Sequence, residues 1–218
     1  GLNPQRRKLD RLTFVAGFNL AAFDDLLELY YQLNYHQNPD IFQRLQDVQA
    51  WQKNRMQNTH VKQFAEKHNI LMSEYFLNRL YGGPDFDALA EQIARLAKYA
   101  HKAEKIIPEN AIKTGTSGVE LAILAVQLDE QVAMQLLEDY HPYETLTDEM
   151  MRLTYLKLDQ GQQRLKQLDL LDQLGFSLDK YMRSFMVQTA FKMCKGTAHK
   201  YNFQVMYEFM QDGFLAMK

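Results

Sequence analysis

The sequence predicts an all-α fold, a single-domain bundle of about seven to nine helices with a largely buried central helix near residues 118–139. Three observations carry that reading. Apolar residues recur at helical offsets, strand-like alternation is absent over any useful length, and the Pro, Gly and Ser/Thr/Asn/Asp residues punctuate helix ends instead of forming linkers. With no internal repeat or low-complexity tract, residues 1–218 read as one domain, with 1–38 as an N-terminal helical segment and 39–218 as the main body. A chain of 218 residues buries roughly 70 % of its unfolded surface, so it needs neither disulfide nor structural metal to make a core.

Arg6, Arg7, Lys8 and Arg11 form a short basic cluster that reads as a solvated helix start. Asn38-Pro39-Asp40 supplies an N-cap, a first-turn proline and an acid that favours the helix dipole. The stripe that follows runs Ile41, Leu45 and Val48, then continues at the same spacing through Gln52, Arg55 and Thr59. All six project within about an 80° sector, so polar groups occupy what began as an apolar face. Either the helix leaves the core after Trp51 or these side chains need internal partners. In the second case Gln52, Arg55 and Thr59 line a pocket in which the planar Arg55 fork holds a carboxylate or phosphate.

Gly82-Gly83-Pro84 ends one helix and begins another, along which Leu89, Ile93, Leu96 and Ala100 make a stripe. Thr114-Gly115-Thr116-Ser117-Gly118 reads as a loop and cap, and Ser117 with Glu120 has capping-box spacing. The helix this begins carries Leu121, Ile123, Leu124, Val126, Leu128, Val132, Leu136 and Leu137 around its whole circumference, which marks it as central. Thr145 with Asp148 is a weaker capping signal, and Gly175 and Gly196 stand where left-handed C-terminal caps release the chain. In the last helix Phe203, Met206, Tyr207, Met210 and Phe214 form one apolar face. Tyr201, Val205 and Phe209 form a second, more than one neighbour covers, which points to deep burial or a subunit interface.

Composition excludes several functions. Twenty-five Lys plus Arg against 27 Asp plus Glu give a net charge of -2, so no global field draws the chain to nucleic acid or anionic membrane. No apolar run reaches the length of a membrane span, because Glu120 and Gln127 interrupt the best candidate. Cys194 is the single cysteine, and the N-terminus lacks the order of a secretory signal, so a cytoplasmic location is expected. Gly1 reads as a processed or tag-derived end, and Cys194 as a small packing residue.

No catalytic residue, metal ligand set or cofactor follows from the sequence. Glu138 and His141 have the Glu-x-x-His spacing of carboxylate-bridged di-iron bundles, but the second pair such a site requires is missing, since His101 and Glu104 run in reverse order. The remaining histidines lack zinc spacing, and Gly115 and Gly118 do not fit a phosphate loop. Asp24-Asp25 and Asp85 with Asp87 lie near helix starts, where acids favour the dipole.

The block Tyr75-Phe76-Leu77-Asn78-Arg79-Leu80-Tyr81-Gly82-Gly83-Pro84-Asp85-Phe86 resembles the bacterial proteins named for their FFLEELY motif. Trp51-Gln52 with Arg55 and Thr59 looks like that family's upstream pattern, Glu120-Leu121 and Leu128-Asp129 look like its central helix, and Arg164 with Gln167, Gly175 and Gly213-Phe214 follow in order. Asn78-Arg79 stands where two acids are usual, and the charged Arg-Asp pair expected after Asp85-Phe86 is missing. The resemblance covers residues 41–218 and implies no established activity, cofactor or catalytic residue. Tyr75, Phe76, Leu80 and Tyr81 read as a core-packing aromatic face.

The expected function is accordingly a noncatalytic interaction or regulatory protein of the bacterial cytoplasm, acting as a homodimer or on a protein partner. The alternative is a binder of an anionic amphipathic molecule, a lipid or organic acid, with its acid at Gln52, Arg55 and Thr59 and its tail among the 11 Met and the many Phe and Tyr. A di-iron bundle enzyme is the third reading.

Overall fold

A computed structural model describes residues 20–60, 87–92, 94–95 and 109–216. Among these residues every regular element is a helix. In chain order they are α1 (Leu20–Tyr31), a 3-10 turn (Asn34–His36), α2 (Pro39–His60), helical residues 87–92, α3 (Glu109–Asp139), α4 (Asp148–Leu158), α5 (Gly161–Met182), α6 (Phe185–Met193), α7 (Lys195–Lys200) and α8 (Gln204–Ala216). The fold is all-α, as the helical spacing implies.

Local chemistry explains where several helices begin. Asn38 Oδ1 accepts hydrogen bonds from the Asp40 and Ile41 amides at 3.0 and 3.2 Å, so the Asn-Pro-Asp signal acts as expected at the start of α2. The α4 start lies two positions later than Thr145. Thr147 is extended and its Oγ1 accepts from the Met150 amide at 3.2 Å, while Asp148 and Glu149 occupy the first turn. Asp159 then closes α4 in the left-handed conformation, φ 50°, with its amide donating to the Tyr155 carbonyl.

Three glycine and capping signals behave differently from expectation. Helix α3 starts at Glu109, so Gly115 and Gly118 lie inside it and Ser117 caps nothing. Each interior glycine costs about 1 kcal/mol of helix propensity, an amount that burial along the same helix outweighs. Gly118 also faces Leu174, whose methyls stand 3.7 Å from where a Cβ would be. Gly175 lies within α5, and Gly196 lies within α7, which follows the break at Cys194.

The chain divides into two compact units. The first comprises residues 1–48 and 94–174 and contains the main core, with Leu26, Val48, Leu121, Leu124, Val132, Leu136 and Met151 fully buried. Every residue from Ile123 to Glu130 is buried, so α3 is the central helix of this unit. The second comprises residues 49–93 and 175–218, and there Phe191 stacks on Tyr207 at 4.2 Å and packs against Phe214 at 4.8 Å. Gln92, buried, accepts the Met206 amide through Oε1 at 2.9 Å, which caps the first turn of α8. The division falls within α2, after Val48, and within α5, after Leu174. No helix among the described residues is long and apolar enough to cross a membrane.

Candidate functional site

An acid on a helix buried all round has to be matched by groups from neighbouring elements, and α3 carries three such acids: Glu120, Asp129 and Glu130. Each is handled differently.

Asp129 is 0 % exposed, and Arg164 on α5 donates from Nη2 to its Oδ1 at 3.1 Å. The same guanidinium donates to Gln160 Oε1 at 3.2 Å and to Gln167 Oε1 at 3.3 Å, and lies over the Tyr155 ring. Gln160 in turn donates through Nε2 to the Leu128 carbonyl at 3.1 Å and to Gln131 Oε1 at 3.0 Å. The left-handed turn at Asp159 places Gln160 just ahead of α5, so one tight connection sets both Gln160 and Arg164 against the middle of α3.

Glu130 serves the 3-10 turn. Its Oε1 accepts the Asn34 amide and the Asn34 side-chain NH2 at 3.0 and 2.9 Å, and its Oε2 accepts the Tyr35 amide at 2.9 Å. A carboxylate 96 positions along the chain thereby does what an N-cap residue usually does locally.

Glu120 is 6 % exposed and is the least satisfied of the three. Lys166 approaches to 3.8 Å, an ion pair beyond hydrogen-bonding distance, and Glu120 Oε1 has no hydrogen-bond partner. Burial raises the Glu120 pKa above the ordinary carboxylate value, and the Lys166 ammonium only partly opposes that.

The residues singled out from the sequence are distributed as follows. The stripe Ile41, Leu45 and Val48 is buried, Gln52 is half-buried, and Arg55 is exposed with its guanidinium 5.4 Å from the centre of the Trp51 ring. Thr59 belongs to α2, but its side chain, and Tyr75, Phe76, Leu80 and Tyr81 altogether, lie outside the described residues. Glu138 and His141 are both exposed, and among the described residues no group of three or more His, Cys, Asp or Glu could share a metal ion. Cys194 is exposed at the break between α6 and α7, so it is not a packing residue. The last helix begins at Gln204, so Tyr201 and Phe203 precede it; on it Tyr207 is buried and Met210 exposed.

Sequence reasoning did not pick out the Asp129–Arg164 network as a site, although Asp129, Arg164 and Gln167 carry part of the family resemblance. The available signal was three acids within an otherwise apolar stretch. The hydrogen bonds of this network tie α5 to the middle of α3.

The chain belongs to the family described as domain of unknown function DUF8198, whose model matches residues 32–218. No curated protein and no solved structure matches the chain.

Proposed function

We propose that this is a noncatalytic interaction or regulatory protein, folded as one domain and acting as a homodimer. The observation that carries the reading is a run of exposed leucines on the consecutive helices α4 and α5: Leu153, Leu156, Leu165, Leu168 and Leu171. Single exposed leucines are ordinary, but five within a turn-linked helix pair amount to a surface that water penalises. The charges around them are mixed, with Asp148, Glu149, Asp159, Asp169 and Asp172 among Arg152, Lys157, Arg164 and Lys166, which suits pairing with a second copy of the same surface. The two continuous helices that cross the unit boundary support the one-domain reading. Placement in the bacterial cytoplasm rests on the motif resemblance and on the single cysteine.

Size-exclusion chromatography with light scattering tests this. The wild type is expected to run as a dimer at micromolar concentration, and Leu156→Glu with Leu165→Glu to run as a helical monomer. A wild type that remains monomeric removes the dimer.

A second reading, capture of an anionic small molecule, is supported by Arg55, whose exposed guanidinium is steadied on the Trp51 indole beside Gln52. Native mass spectrometry of gently purified protein is expected, on this reading, to show excess mass that vanishes on denaturation and is lost in Arg55→Met.

A further inference from the structure

The second unit contains a helix whose apolar side faces outward. Around α6, at about 100° per residue, the outward arc holds Phe185, Met186, Thr189, Ala190, Lys192 and Met193, all exposed, while Val187, Gln188 and Phe191 turn inward. Phe185 and Met186 are each 81 % exposed and Met193 80 %, and neither α6 nor α7 has a buried residue. These side chains protrude; they do not line a groove.

The charge around them is as unusual. No Asp or Glu occurs from Lys180 to Tyr207, although the chain has 27 acids, and the stretch carries Lys180, Arg183, Lys192, Lys195 and Lys200. All five are exposed, and His199 stands exposed beside Lys200. The nearest acid, Asp179, accepts a hydrogen bond from Arg183 at 2.8 Å. A chain of net charge -2 therefore concentrates positive charge on both sides of these protruding apolar residues.

We infer that α6 and α7 dock on an anionic lipid surface. Flanking cations attract acidic headgroups, and the Phe185, Met186 and Met193 side chains enter the boundary between headgroups and acyl chains. A second copy presenting the same face would bring like charges together, which disfavours self-association here. Knobs without a surrounding wall suit a fluid phase that moulds around them better than a folded partner that must offer matching pockets. This surface uses none of the α4 and α5 leucines and does not depend on the dimer reading.

The test uses the natural single cysteine. Cys194 is exposed at the α6–α7 break, so an environment-sensitive dye attached there reports contact directly. Titration with phosphatidylcholine vesicles containing phosphatidylserine is expected to blue-shift the dye, with weaker binding as salt rises and to pure phosphatidylcholine. Phe185→Ser with Met186→Ser and Met193→Ser should weaken binding to the mixed vesicles by at least about tenfold while helicity by circular dichroism is unchanged. Lys192→Gln with Lys195→Gln should weaken it and reduce its salt dependence. Failure to bind mixed vesicles at low ionic strength overturns the inference. So does binding of soluble polyglutamate or a single-stranded oligonucleotide as tightly as vesicles, unaffected by the triple serine change, which would reassign the surface to acidic polymers.

Discussion

Glu120 and Asp129 sit nine positions apart on the same buried helix, and each faces a cation from α5, yet the two pairs are built to different standards. Asp129 is held by a guanidinium that is itself oriented by two glutamines and an aromatic ring. Glu120 meets a flexible ammonium at 3.8 Å and keeps one oxygen without a hydrogen bond. The difference shows what burial asks of an ion pair: closeness of opposite charge is insufficient, and the remaining donors and acceptors must also be matched. Arg164, with its planar fork, reaches several acceptors at once, whereas Lys166 is a compact, strongly hydrated charge.

Replacing Arg164 is the strongest way to break the contrast. Arg164→Met keeps the covering stem but removes the guanidinium that faces the fully buried Asp129, and a loss of about 3 kcal/mol is expected. Urea denaturation measures it, and adding Asp129→Leu to the same background should restore part of the loss, because the buried charge is removed with its cation. A loss below that of an exposed pair would mean Asp129 is held by its other surroundings.

Glu130 sharpens the comparison from a third position, since it accepts three hydrogen bonds and has no cation among its partners. Glu130→Ala removes the acceptor from the Asn34 and Tyr35 amides and is expected to cost about 2 kcal/mol. Amide hydrogen exchange should show the loss concentrated at Tyr35, where the 3-10 turn is tied to α3. Uniform loosening of the whole chain would contradict that local role.

Much of this was legible in the sequence, but unevenly. The Asn38 cap, the buried end of the Ile41 stripe and the all-round burial after Val119 depend on neighbours within a turn or two, so spacing reveals them. The start of α3 was not legible, because Gly115 and Gly118 weaken a helix locally while its burial against distant elements more than compensates. Likewise the acids at 120, 129 and 130 were visible as oddities in an apolar stretch, but their partners Lys166, Arg164 and Asn34 lie far along the chain, the last of them 96 residues behind, beyond any periodicity. At Arg55 the pattern allowed either a pocket or an exit from the core, and the side chain there is exposed over the Trp51 ring.

The smallest expected effect is the one with a pH signature. Burial raises the Glu120 pKa above 4.5, so the folded state holds that proton more tightly than the unfolded chain does. The stabilisation from this preference is full below the unfolded value and is lost as pH rises through the raised folded value. Glu120→Gln keeps the shape, supplies a donor and removes the charge, while Lys166, half-buried, can turn to water. The variant should therefore match the wild type in acid and exceed it by up to about 1 kcal/mol at neutral pH. Thermal melts of both proteins across that range check it. A variant less stable than the wild type at neutral pH would show that Lys166 satisfies Glu120 in solution despite the 3.8 Å separation, and the two pairs on α3 would then be equivalent.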